Sequence, residues 1–160
     1  MDNYVDNSEA TAFKAETAAA WLDGIRRLKR EAELAYDLAA TERDMIDGLR
    51  GIDYSKEPGA SSADPMLGAV ARLQASVARY EATLEEYLEE RDRAATAIMR
   101  VEMPGRAVLA YHYLADRPYQ WIEGRLAYSH GGVMKLRRQA LAELYGVMPA
   151  DARPDIPKAI

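Results

Sequence analysis

The chain has 160 residues, 21 Lys and Arg against 26 Asp and Glu, and no cysteine, which suits one compact module on an extended helical arm and excludes disulfides, thiolate zinc sites and a cysteine nucleophile together. Apolar residues make up 49% of it but Phe occurs once, so a thin core between paired helices is expected. No basic N-terminal region precedes an apolar one, and the apolar stretch 18–22 is too short for a signal segment or a membrane span, so a soluble, cytoplasmic protein with no membrane partner is expected.

Residues 1–7 are polar, patternless and expected to be disordered. From Ser8 the pattern turns helical: Trp21, Ile25, Leu28, Ala32, Ala35, Ala39, Glu42, Ile46 and Leu49 recur at alternating four- and three-residue steps, the seam of a helix that packs on another helix. Residues 52–64 concentrate turn formers and read as a loop. Asp64-Pro65 then opens a second helix, because a carboxylate can cap the first amides and proline there forfeits no hydrogen bond. Its seam runs Val70, Leu73, Val77, Tyr80, Leu84, Tyr87, Arg91, Ala94, Ile98 and Val101. The two stripes predict a long antiparallel helical hairpin over residues 8–102. A second stripe, Leu22, Leu34, Leu38 and Met45 with Leu67 and Leu88, would stay exposed in a monomer, so a homodimer through the hairpin is expected. Glu85, Glu86, Glu89 and Glu90 form i,i+4 carboxylate pairs without a nearby histidine and read as a solvated face, with no metal.

The last third changes style. Pro104 opens a helix through Leu114, Asp116-Arg117-Pro118 breaks it, Tyr119–Leu126 makes a short second helix, and Ser129 caps a third that ends near Gly146. The segment 103–146 is therefore predicted to be a three-helix helix-turn-helix domain, followed by an extended, proline-rich tail over 147–160. Val108, Leu109, Tyr119, Ile122, Leu126, Val133, Leu136, Ala140 and Leu141 would close its core. The whole chain is predicted to be all-α.

Charge follows the same division. Residues 1–103 carry 13 Lys and Arg against 21 Asp and Glu, whereas residues 104–145 carry 6 against 3, so the cationic excess is confined to the segment that would meet DNA. The third helix is expected to turn His130, Gly131, Met134, Lys135, Arg137 and Arg138 outward behind the capping Ser129, where its cations suit phosphate and guanine contacts. Arg106, Arg117 and Arg125 are expected as additional backbone contacts.

The stretch from Tyr119 to Leu144 resembles the helix-turn-helix of sigma factor region four, which reads the −35 element: Ile122 is followed by the capping Ser129, then Val133, then Ala140-Leu141 with Leu144. With the hairpin in front, residues 21–145 resemble the phage and prophage late-gene transcriptional regulators of the RinA/ArpU-like type, and the Tyr128-Ser129 pair and the aromatic Tyr119 match that subgroup. The resemblance implies a regulator that binds double-stranded promoter DNA, with the acidic hairpin used to dimerise or to touch RNA polymerase. The chain departs from the pattern at Glu123, where alanine is usual, at His112, where arginine is common, and at Gly131-Gly132, where polar base-reading residues usually stand. The alternative is a non-enzymatic helical adaptor or phage structural or packaging protein with a vestigial helix-turn-helix. No Ser/His/Asp constellation, phosphate-binding glycine loop or metal cluster is visible, so neither an enzyme nor a cofactor is expected.

Overall fold

The computed structural model describes residues 7–51 and 64–156, and every regular element among them is helical. Helix α1 spans Asn7–Arg50, α2 Pro65–Ile98, α3 Gly105–Leu109, α4 Tyr119–Leu126 and α5 His130–Val147. Asp64 caps α2 as its carboxylate accepts from the Met66 amide at 2.9 Å. The rest of the connection expected over 52–64 lies outside the described residues, as do residues 1–6 and 157–160.

Two compact units divide the chain: Arg27–Leu88, and Met1–Arg26 together with Glu89–Ile160. Each long helix therefore contributes to both.

The first unit is a helical hairpin. Tyr36 packs edge-to-face on Tyr80, and Glu42 pairs with Arg72 at 3.4 Å. As one partner's number rises the other's falls, which fixes the antiparallel sense. Its buried residues are nearly all small: Ala32, Ala35, Ala39 and Ala69, with Ile46. Alanine lets the two backbones approach but removes little apolar area from water, so this core is thin. Leu34, Leu38, Met45, Leu67 and Leu88 are all exposed.

The second unit buries larger side chains. Ala15, Ala18, Leu22 and Ile25 of α1 and Ala94, Ala97 and Ile98 of α2 share it with Val108, Leu109, Ile122, Val133, Leu141 and Leu144. Leu22, placed by the sequence pattern on the exposed stripe, is 1% exposed. Around it α1 is covered over a wider arc than in the hairpin: Ala15, Ala18, Leu22 and Ile25 are all buried, and Phe13 packs on Tyr145 of α5, ring centroids 6.1 Å apart.

Two elements differ from their sequence expectation. Helix α2 stops at Ile98 rather than near residue 102: the Arg100 and Val101 amides donate only three residues back, to Ala97 and Ile98, and this tighter turn leads to Pro104, which cannot continue a helical ladder. The helix expected from Pro104 to Leu114 is α over Gly105–Leu109 and widens to a π-helical turn over Ala110–Leu114, where the Ala115 amide donates five residues back to Ala110. That wider turn leaves the consecutive rings of Tyr111, His112 and Tyr113 all buried or half-buried.

Residues 151–154 are tied down. Asp151 pairs with Arg93 of α2 at 2.5 Å, the Tyr145 hydroxyl donates to the Pro154 carbonyl, and Arg153 donates to the Gly146 carbonyl at 2.9 Å.

Candidate nucleic-acid interface

Helices α4 and α5 form the two-helix part of the candidate site. Val108, Ile122 and Val133 are fully buried against one another, with Tyr111, Tyr119, Leu126, Met134 and Leu136 packed around them. The chain leaves α4 through Ala127 in the left-handed region, φ 58° and ψ 41°, and the Ala127 and Tyr128 amides both return to the Glu123 carbonyl. Ser129 is extended and its hydroxyl accepts from the Gly132 amide at 3.1 Å, which opens α5. Three residues, 127–129, thus separate the helices, the length of turn that a helix-turn-helix uses.

Fixing Val133 and Leu141 in the core determines what α5 shows to solvent. Ser129, His130, Gly131, Lys135 and Arg138 are exposed. His130 Nδ1 lies 2.5 Å from the Glu123 carboxylate of α4, so its imidazole braces the first residue of α5 across the turn. A Cβ on Gly131 would meet nothing within 4 Å.

Met134 and Arg137 do not point outward as the helical pattern suggested. Met134 is half-buried against the three-helix core. Arg137 is half-buried too: it donates to the Tyr113 hydroxyl at 2.9 Å, while its Nε is sealed without a hydrogen-bond partner. Burial pushes the Tyr113 hydroxyl above its ordinary pKa, and the guanidinium beside it opposes that shift.

Among the outlying arginines, Arg106 is half-buried and donates to the Val101 carbonyl at 2.7 Å, so it braces the bend between α2 and α3. Arg117 is exposed and lies over the Trp121 ring, 4.9 Å from its centroid. Arg125 is exposed on α4.

A network beneath the site has no counterpart in the sequence pattern. Arg26 of α1 lies 3.2 Å from His112 Nε2, 3.5 Å from Asp116 and over the Tyr113 ring. A guanidinium only donates, so Nε2 accepts, and the ring proton sits on Nδ1, which donates to the Arg117 carbonyl at 3.2 Å. The imidazole stacks on Tyr119 with centroids 4.1 Å apart. Glu123 and His112 are both engaged in holding the trihelix.

The α5 side that carries Met134, Arg137, Arg138 and Leu141 borders a groove of about 930 Å³, whose other wall is α1 between Ser8 and Asp23. Glu16 and Asp23 stand on that wall. Among the described residues no group of three or more His, Asp or Glu is placed to hold a metal ion, and no helix is long and apolar enough to cross a membrane. No protein-family model, curated protein or solved structure matches the chain.

Proposed function

We propose that this chain is a non-enzymatic, DNA-binding transcriptional regulator of the phage or prophage type, which docks α5 in the major groove of promoter DNA. The observation that carries this is the α4–turn–α5 geometry: a three-residue turn, a serine cap and a buried inner face leave the first turn of α5 and its cations Lys135 and Arg138 exposed on a rigid scaffold. The local cationic excess over residues 104–145 supplies the attraction to phosphate, within a chain whose net charge is −5. Arg117 and Arg125 are added backbone contacts. The acidic hairpin is a surface for self-association or for RNA polymerase.

Binding of the full chain to duplex DNA, followed by fluorescence anisotropy at increasing salt, tests this. Arg138→Ala and Lys135→Ala should each flatten the salt slope by about 1. Arg137→Ala should act differently, lowering stability while leaving the slope nearly unchanged, because its guanidinium is already engaged by Tyr113. No binding to any duplex at low salt would overturn the proposal.

One observation favours a second reading, a helical adaptor that keeps only the shape of a helix-turn-helix. Glu16 and Asp23 line the groove beside Arg138, so α1 brings carboxylates near the face a phosphate would approach. Under that reading Arg138→Ala leaves a weak, salt-insensitive DNA background unchanged.

A further inference from the structure

In the hairpin unit, one face of the helix pair is a shallow groove. Two cavities of about 450 and 330 Å³ share Tyr36 and Tyr80 as a common wall and so run end to end along it. Tyr36, at the middle, is 57% exposed. The α1 rim is formed at four- and three-residue steps by Lys29, Glu33, Tyr36, Ala40 and Arg43, and Asp47 continues the same stripe.

This stripe complements itself when reversed. In an antiparallel pair of α1 helices centred on position 38, Lys29 of one copy meets Asp47 of the other, Glu33 meets Arg43 and Tyr36 meets Ala40. A two-fold axis makes every match occur twice.

Helix α2 shares the same centre. The groove residue Glu81 belongs to a stripe at helical spacing with Leu67 and Leu88, which are 70% and 50% exposed. The contacts of Tyr36 with Tyr80 and of Glu42 with Arg72 set position 38 of α1 level with Val77, midway between those two leucines. The axis that matches the α1 charges therefore lays Leu67 of one copy on Leu88 of the other.

We propose that this face binds a second copy of the chain, hairpin on hairpin, about a two-fold axis at the level of position 38 and Val77. An unrelated helix would have no reason to match the α1 charge order in reverse. The opposite flank of α1, with Leu34, Leu38 and Met45, is apolar, but when its stripe is reversed about the same position 38 its charges Arg27 and Glu31 fall on Leu49 and Met45. Self-association here is independent of whether α5 binds DNA.

Sedimentation of the full chain up to about 100 µM tests the interface. The expected mass is twice 17.8 kDa. Glu33→Arg sets arginine against Arg43 of the other copy twice and should raise the dimer Kd about tenfold. Adding Arg43→Glu reverses the pair and should restore the dimer, which loss of a merely local contact would not allow. Leu67→Glu, on the other helix, should give the same loss with unchanged helical circular dichroism. A mass that stays at 17.8 kDa, or a dimer indifferent to Glu33→Arg and to Leu67→Glu, overturns the proposal; the second outcome would assign association to the Leu34 flank.

Discussion

Gly105 of α3 lies so close to Ala140 of α5 that a Cβ on residue 105 would stand 2.7 Å from the Ala140 Cβ. Neither atom can rotate away, and Ala140 is 2% exposed. Gly105→Ala should gain at most about 1 kcal/mol of helix propensity and lose more to overpacking, for a net destabilisation of about 1–2 kcal/mol. Urea unfolding measures it, and Ala140→Gly in the same chain should recover part of the loss. An unchanged midpoint would mean that α3 and α5 do not meet at this point.

The paired glycines at the start of α5 should behave unlike one another. A Cβ on Gly131 meets open space, so Gly131→Ala gains helix propensity and should stabilise by about 0.5–1 kcal/mol. A Cβ on Gly132 would stand 3.3 Å from both the Ser129 hydroxyl and the Tyr128 ring. Gly132→Ala must therefore push on the cap, and its gain should be cancelled or reversed by a loss of about 1 kcal/mol. Thermal melts of the two single variants compare them directly. Equal shifts would show that the Ser129 cap is not the contact that decides.

Stability should fall in mild acid through His112. Burial lowers its pKa below the ordinary 6.5; the bond to the Arg117 carbonyl opposes this, Arg26 and Arg137 lower it further, and Asp23 raises it least. The unfolded chain therefore takes up the proton first. The contribution of His112 is complete above about pH 6.5 and is lost as pH falls from there toward the lowered folded-state value. Urea midpoints between pH 7.5 and about pH 5 should decline, and His112→Gln should remove that part of the slope. Parallel slopes for the two chains would clear His112 of the effect.

Local chemistry made much of the fold readable. Asp64 and Ser129 are caps because their side chains reach amides two and three residues ahead, and that depends on nothing distant. The heptad seams were equally local, and they placed the hairpin and the exposed Leu34, Leu38 and Met45. What escaped were contacts set by partners remote in sequence. Leu22 follows the exposed stripe by spacing, and only its burial in the folded chain reveals that α1 is covered there. Arg137 looks outward on a helical wheel until Tyr113, 24 residues earlier, supplies its acceptor. Within the candidate site the turn and the exposed first residues of α5 were legible. The role of Glu123 as a brace for His130 was not, since a lone glutamate and a lone histidine seven residues apart carry no pattern.

The contact of Phe13 with Tyr145 also bears on how the chain is made. Synthesis at about 5–20 residues per second delivers the first turns of α1 roughly ten seconds before the helix they rest on. During that interval Ala15, Ala18, Leu22 and Ile25 have emerged without the side chains that will cover them. The hairpin can close earlier, because both of its strips are complete once residue 88 has left the ribosome. Burial of Leu22 therefore waits for residues beyond 88, whereas burial of Ala35 and Ala39 in the hairpin does not.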